Sequence, residues 1–186
     1  FRNEDLLKTS LFRINSNPGT EVETIADTYT RGRDLVVAYS QTSGRPTSLH
    51  VYWRGIANEA LFTIDQIISM QTDQLDCDPT LCVQHLLPRG EFIAFGSQGM
   101  SLLFQPHDSA RRWLLAVHPA DCEERVVDKA AEGVTRISFQ LFRPGLEKGV
   151  IRRARLRATL LPREGDELFA RESEQEFLRA ELPLTT

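Results

Sequence analysis

With 186 residues, 41% of them hydrophobic and 26% charged, the chain has the length and composition of one fair-sized globular domain that buries a core without disulfide or metal staples. A formal net charge of −4 and a pI near 5.6 argue against nucleic acid as the main partner, because such binders carry a basic excess that displaces counterions. No apolar run approaches the ~18 residues that span a bilayer as a helix, and no tract is so poor in hydrophobic residues that it should stay unfolded.

Period-two alternation recurs from the first tens of residues to about residue 161, the pattern of half-buried antiparallel strands. In chain order the strand-like runs are SLFRIN, TEVETIADTYT, DLVVAYS, SLHVYWR, LFTIDQIISMQT, EFIAF, MSLLFQP, RWLLAVH, VTRISFQLF and GVIRRARLRATLLP. Segments such as SNPG, TSGRP, LLPRG and RPGLEKG separate them, and their Gly, Pro, Asn and Ser residues suit tight reversals. About ten strands with short connections predict an all-β, antiparallel β-sandwich over residues 1–186 as one domain, with a closed β-barrel as the alternative. Trp53, Trp113, Leu115, Ile137 and Phe139 are expected in its core.

Two segments break the alternation. EERVVDKAAEG (123–133) is short, rich in Ala and Glu and closed by Gly133, which reads as a helical turn. DELFARESEQEFLRAEL (166–182) has helix formers throughout and no Gly or Pro, which predicts a short C-terminal helix opened by Asp166.

The first residue is Phe1 rather than methionine, which is read as the trace of removed upstream sequence and favours a secreted, periplasmic or cell-envelope setting. Three cysteines are too few for a disulfide framework. Cys77 and Cys82 could close a small loop, or all three, with Cys122, could stay reduced.

The run GVIRRARLRATLLP raises a problem of charge. As a strand it sends Ala154, Leu156, Ala158 and Leu160 to one face and Arg153, Arg155 and Arg157 to the other, about 7 Å apart along the chain. Like charges so close repel unless something anionic covers them. Residues 143–163 hold seven basic side chains against one acidic, a net +6, while residues 164–181 hold seven acidic against two basic, a net −5. The simplest arrangement folds the acidic segment over the basic strand, where carboxylates pair with guanidinium forks; the other leaves an open stripe for an anionic ligand.

SLHVYWR places Leu49, Val51 and Trp53 on one face and His50, Tyr52 and Arg54 on the other. An aromatic ring beside hydrogen-bonding side chains on a sheet is a surface that sugars use. Asp65, on the polar side of its strand, is the carboxylate of interest beside them. The candidate ligand-binding residues are therefore His50, Tyr52, Arg54, Asp65, Arg153, Arg155 and Arg157. The Cys-x4-Cys-x2-His run that ends at His85 fits no standard structural zinc spacing, and neither a metal nor another cofactor is expected. Nucleophile-elbow, phosphate-loop, dinucleotide and HExxH motifs are absent. These readings predict a non-catalytic module that binds a carbohydrate or a protein. The alternative is a sugar-active enzyme, epimerase-like or hydrolytic, built on the same face.

Overall fold

The computed structural model describes residues 10–17, 20–22, 24–57, 61–96, 100–129, 133–142, 145–162 and 166–180, which hold fifteen strands and one helix. The strands are β1 (Ser10–Asn17), β2 (Thr20–Glu21), β3 (Asp27–Arg31), β4 (Asp34–Tyr39), β5 (Thr47–Ala57), β6 (Phe62–Thr72), β7 (Asp76–Cys77) and β8 (Leu81–Leu87). They continue with β9 (Gly90–Phe95), β10 (Ser101–Pro106), β11 (Arg111–Val117), β12 (Cys122–Lys129), β13 (Thr135–Leu141), β14 (Leu146–Glu147) and β15 (Ile151–Pro162), and the helix α1 spans Asp166–Arg179.

An eight-stranded sheet runs in the order β3-β4-β5-β6-β15-β11-β10-β9, and a five-stranded sheet in the order β12-β13-β8-β1-β2. Strands β7 and β14 form a separate two-stranded ribbon. All strand pairings are antiparallel, as short connections between alternating runs require. The two larger sheets pack face to face as a β-sandwich, and among the described residues neither closes into a barrel.

The core follows from the alternation. Leu49, Val51, Ile68, Met70, Leu156 and Phe104 from the larger sheet meet Ile14, Leu81, Val83, Ile137, Phe139 and Leu141 from the smaller in one buried cluster. Each such side chain contributes about 1.5–3 kcal/mol by leaving water, so the inner faces hold the two layers together. Phe12 has φ 60° beside a register shift between Ser10 and Arg13, an irregularity that re-aims a side chain. Its buried ring meets those of Trp53 at 5.4 Å and His85 at 4.7 Å, both edge-on.

Four expectations need correction. The segment at 123–133 was expected to be helical, but Cys122–Lys129 is the edge strand β12; with a neighbour on one side only, it carries charges that blur the alternation. LCVQHLL, expected only as a cysteine–histidine run, is strand β8, with Leu81, Val83, His85 and Leu87 inward. The run 20–30 divides into β2 and β3, so the strands exceed ten. Leu115, Ile137 and Phe139 are fully buried, whereas Trp53 and Trp113 are only partly so, packed at the margin of the cluster.

Candidate functional site

The outer face of the larger sheet brings the seven candidate residues together. Strand β6 lies between β5 and β15, and the registers set His50, Ser69 and Arg153 in one row across the three strands. Tyr52, Ile67 and Arg155 form the next row, Arg54, Asp65 and Arg157 the third, and Ile56, Thr63 and Thr159 the fourth. Rows are about 7 Å apart, so the four make a strip roughly 20 Å long.

Charge pairing organises the third row. Arg157 donates from Nε and Nη2 to the two oxygens of Asp65 at 2.6 and 2.8 Å. Arg54 does the same with Asp34 of β4, at 2.6 and 2.9 Å. The second fork is half open to solvent, since the Arg54 side chain is 39% exposed, and its bonds to Asp34 hold the guanidinium above its ordinary value. Both oxygens of each carboxylate face a guanidinium, the strong bidentate geometry.

Arg155 is held by the 118–121 connection and by the end of the helix. Asp121 accepts from the Arg155 backbone N–H at 3.1 Å and lies 3.7 Å from its Nε, while Nη1 donates to the Ala180 carbonyl at 2.5 Å. Burial pushes the Asp121 carboxyl up from its ordinary value, and Arg155 opposes that shift. Burial also pushes His118 down, and the Arg155 charge adds to the effect.

Helix α1 lies over β15, so the acidic segment does cover the basic strand, but through different groups from those expected. The Phe177 ring sits 5.2 Å from the Arg157 guanidinium and 5.9 Å from that of Arg155. The Ser173 carbonyl accepts from Arg157, and the hydroxyls of Thr63, Thr159 and Ser173 form a chain with spacings of 3.1 and 3.2 Å. Among the helix glutamates, Glu176 comes within 3.7 Å of Arg157 but is 74% exposed, so the pair is weak. Asp65 and Asp121 carry the pairing instead.

Two hollows flank Arg157 along the helix. One of about 40 Å³ opens between Arg54, Asp65, Ile67, Arg155 and Phe177. The other, about 140 Å³, lies between Ile56, Leu61, Thr63, Phe169, Glu172 and Glu176. Tyr52 is buried with Val36 and Ile67, so its ring serves as floor and not as an open platform. His50, Ser69 and Arg153 are half-buried in the row beyond it.

A larger hollow of about 400 Å³ sits on the opposite flank of the helix, at Phe95, Gly96, Arg171, Glu174 and Gln175. Its buried acid, Glu174, accepts from the Ser101 hydroxyl at 2.5 Å and anchors the helix to β10. Gly96, at φ +84°, makes room, since a Cβ there would fall 1.9 Å from a Glu174 oxygen. Cys77, Cys82 and Cys122 are free. Among the described residues no group of three or more His, Cys, Asp or Glu side chains could hold a metal ion.

Sequence reasoning missed Asp34, Asp121, Ser173 and Phe177. Asp34 shares an alternating face with Val36 and Ala38, yet nothing local ties it to Arg54, which lies twenty positions on. Asp121 lies in a connection, and its partner follows thirty-four residues later. Only strand order joins these pairs.

Together these features define an antiparallel β-sandwich with a C-terminal helix on the outer face of its larger sheet. No protein-family model and no curated protein matches the chain. Among solved structures it is similar to a chain described as a kojibiose phosphorylase from the human microbiome, with a TM-score of 0.51 and 11% identity, over 90% of this chain and 24% of that one. Two further similar structures are a polysaccharide lyase (TM-score 0.49, 10% identity, 84% of this chain and 26% of that) and a heparinase III (0.45, 11%, 86% and 24%). The chain thus spans about a quarter of each, and at these identities the likeness is one of fold.

Proposed function

We propose that residues 1–186 form one non-catalytic β-sandwich module that binds a carbohydrate along the outer-face strip from His50 to Glu172. The observation that carries this reading is the registered strip itself, with polar side chains in rows over an apolar floor and a crevice along helix α1 as one wall. Such a surface offers hydroxyl-reading groups and apolar contact together, as sugars require. The fold likeness to a chain described as a sugar phosphorylase supports the same class of ligand. Binding is favoured over catalysis because Asp34 and Asp65 each commit both oxygens to a guanidinium, which leaves neither aimed at a ligand.

Calorimetric titration with a panel of neutral and acidic oligosaccharides tests the reading. Saccharide binding weakened at least about ten-fold by both His50→Ala and Glu172→Ala supports it, since each removes a side chain at one end of the strip. Absence of saccharide binding, or binding that both variants leave unchanged, overturns it. Retention of a protein ligand by the same face would then favour the protein-binding reading.

A further inference from the structure

Three of the four candidate arginines are matched by strand or loop carboxylates: Arg54 by Asp34, Arg157 by Asp65 and Arg155 by Asp121. Arg153 is not. Among the described residues its side chain has no ion pair or hydrogen bond, and its Nε is buried without a partner. Its row supplies two further polar side chains, His50 and Ser69. A guanidinium donor withdrawn from water and left unmatched is costly until an acceptor arrives, and the half-buried head keeps its other donors within a ligand's reach. The opposite end of the strip carries Glu172 and Glu176, which disfavour negative charge there.

We propose that the saccharide on this strip carries an anionic substituent, a carboxylate or a sulfate ester, and that Arg153 receives it beside His50 and Ser69. The inference rests on the carbohydrate reading of the same face and adds the ligand's charge and its direction along the strip. Either group presents oxygens that a planar guanidinium engages through two parallel bonds, and such bonds to a charged acceptor are about twice as strong as neutral ones. A neutral unit then fits at the Glu172 end, where charge repulsion excludes the acid.

The test compares three oligosaccharides of equal length in calorimetric titration: an oligogalacturonide, a sulfated neutral oligosaccharide and its unsulfated parent. The expected result is that at least one anionic ligand binds about ten-fold tighter than the parent at low salt, with the preferred anion identifying carboxylate or sulfate. That preference shrinks as salt is raised and falls to within about two-fold in Arg153→Gln, whose thermal unfolding is measured alongside. The salt series on the unaltered protein stands by itself if the variant does not fold. Equal binding of all three ligands overturns the inference and leaves the carbohydrate reading intact. A preference that survives Arg153→Gln in folded protein overturns the assignment to Arg153, and failure to bind any of the three overturns both.

Discussion

Arg157 and Asp65 stand opposite each other in the register of β15 and β6 and close a two-bond fork at 2.6 and 2.8 Å. Side-chain exposure of 5% and 18% puts the pair largely out of water. Asp65→Ala should therefore cost about 3–5 kcal/mol, because it leaves a buried guanidinium uncompensated. Asp65→Leu with Arg157→Met should recover most of that loss, since an apolar pair removes both desolvation penalties. Urea unfolding at unchanged m-value is the measurement, and a single-variant cost below about 1 kcal/mol would class the pair with surface ion pairs.

The helix should be held by its ring and not by its exposed charge. Phe177 is buried against two guanidinium groups, so Phe177→Ala is expected to cost about 3 kcal/mol or more. Glu176→Ala should change stability by less than about 0.5 kcal/mol. Amide hydrogen exchange in residues 166–179 gives a local check, with protection lost in the first variant and kept in the second.

In the sandwich core, Phe139 is fully buried between the sheets, and Phe139→Ala should cost about 3–5 kcal/mol. Trp113 sits at the margin of the same cluster, so Trp113→Ala should cost less than Phe139→Ala despite the larger side chain removed. The order of the two midpoints in urea decides the point.

Acid should weaken the fold through His85. It is buried between the rings of Phe12 and Phe139 with no partner on Nδ1, and burial pushes its pKa from 6.5 down to about 3. Between those values the unfolded chain binds the proton and the folded chain does not. The contribution is thus fully present above about pH 6.5 and declines as pH falls toward 3, by up to about 1.4 kcal/mol per pH unit. Unfolding free energies from pH 7.5 to 4.5 should show a steeper acid loss in the unaltered protein than in His85→Phe, and equal slopes would contradict the burial of a neutral imidazole.

Alternation alone determined the inward faces of β5 and β15, because apolar residues at every second position have one way to leave water in a sheet. It also put His50, Tyr52 and Arg54 on one side of β5 and the arginines on one side of β15. Where the period weakens, local reading failed. Strand β12 lies at an edge and carries Glu123, Glu124, Arg125 and Asp128, so its pattern is set by solvent more than by core; β8 puts a histidine among its inward residues.

Whether the faces of β5 and β15 coincide was decided by the tertiary structure. A strand's own sequence fixes which residues share a side, but only strand order and register say which strands share a sheet. Inserting β6 between β5 and β15 aligns Arg54, Asp65 and Arg157, and the hairpin with β4 brings Asp34 to Arg54. The charge balance between residues 143–163 and 164–181 foretold that the acidic segment would lie on the basic strand. It could not foretell that β-strand and loop carboxylates would take the arginines first, because ion pairs form where geometry already holds both partners close, and the helix glutamates turn to solvent or to Ser101.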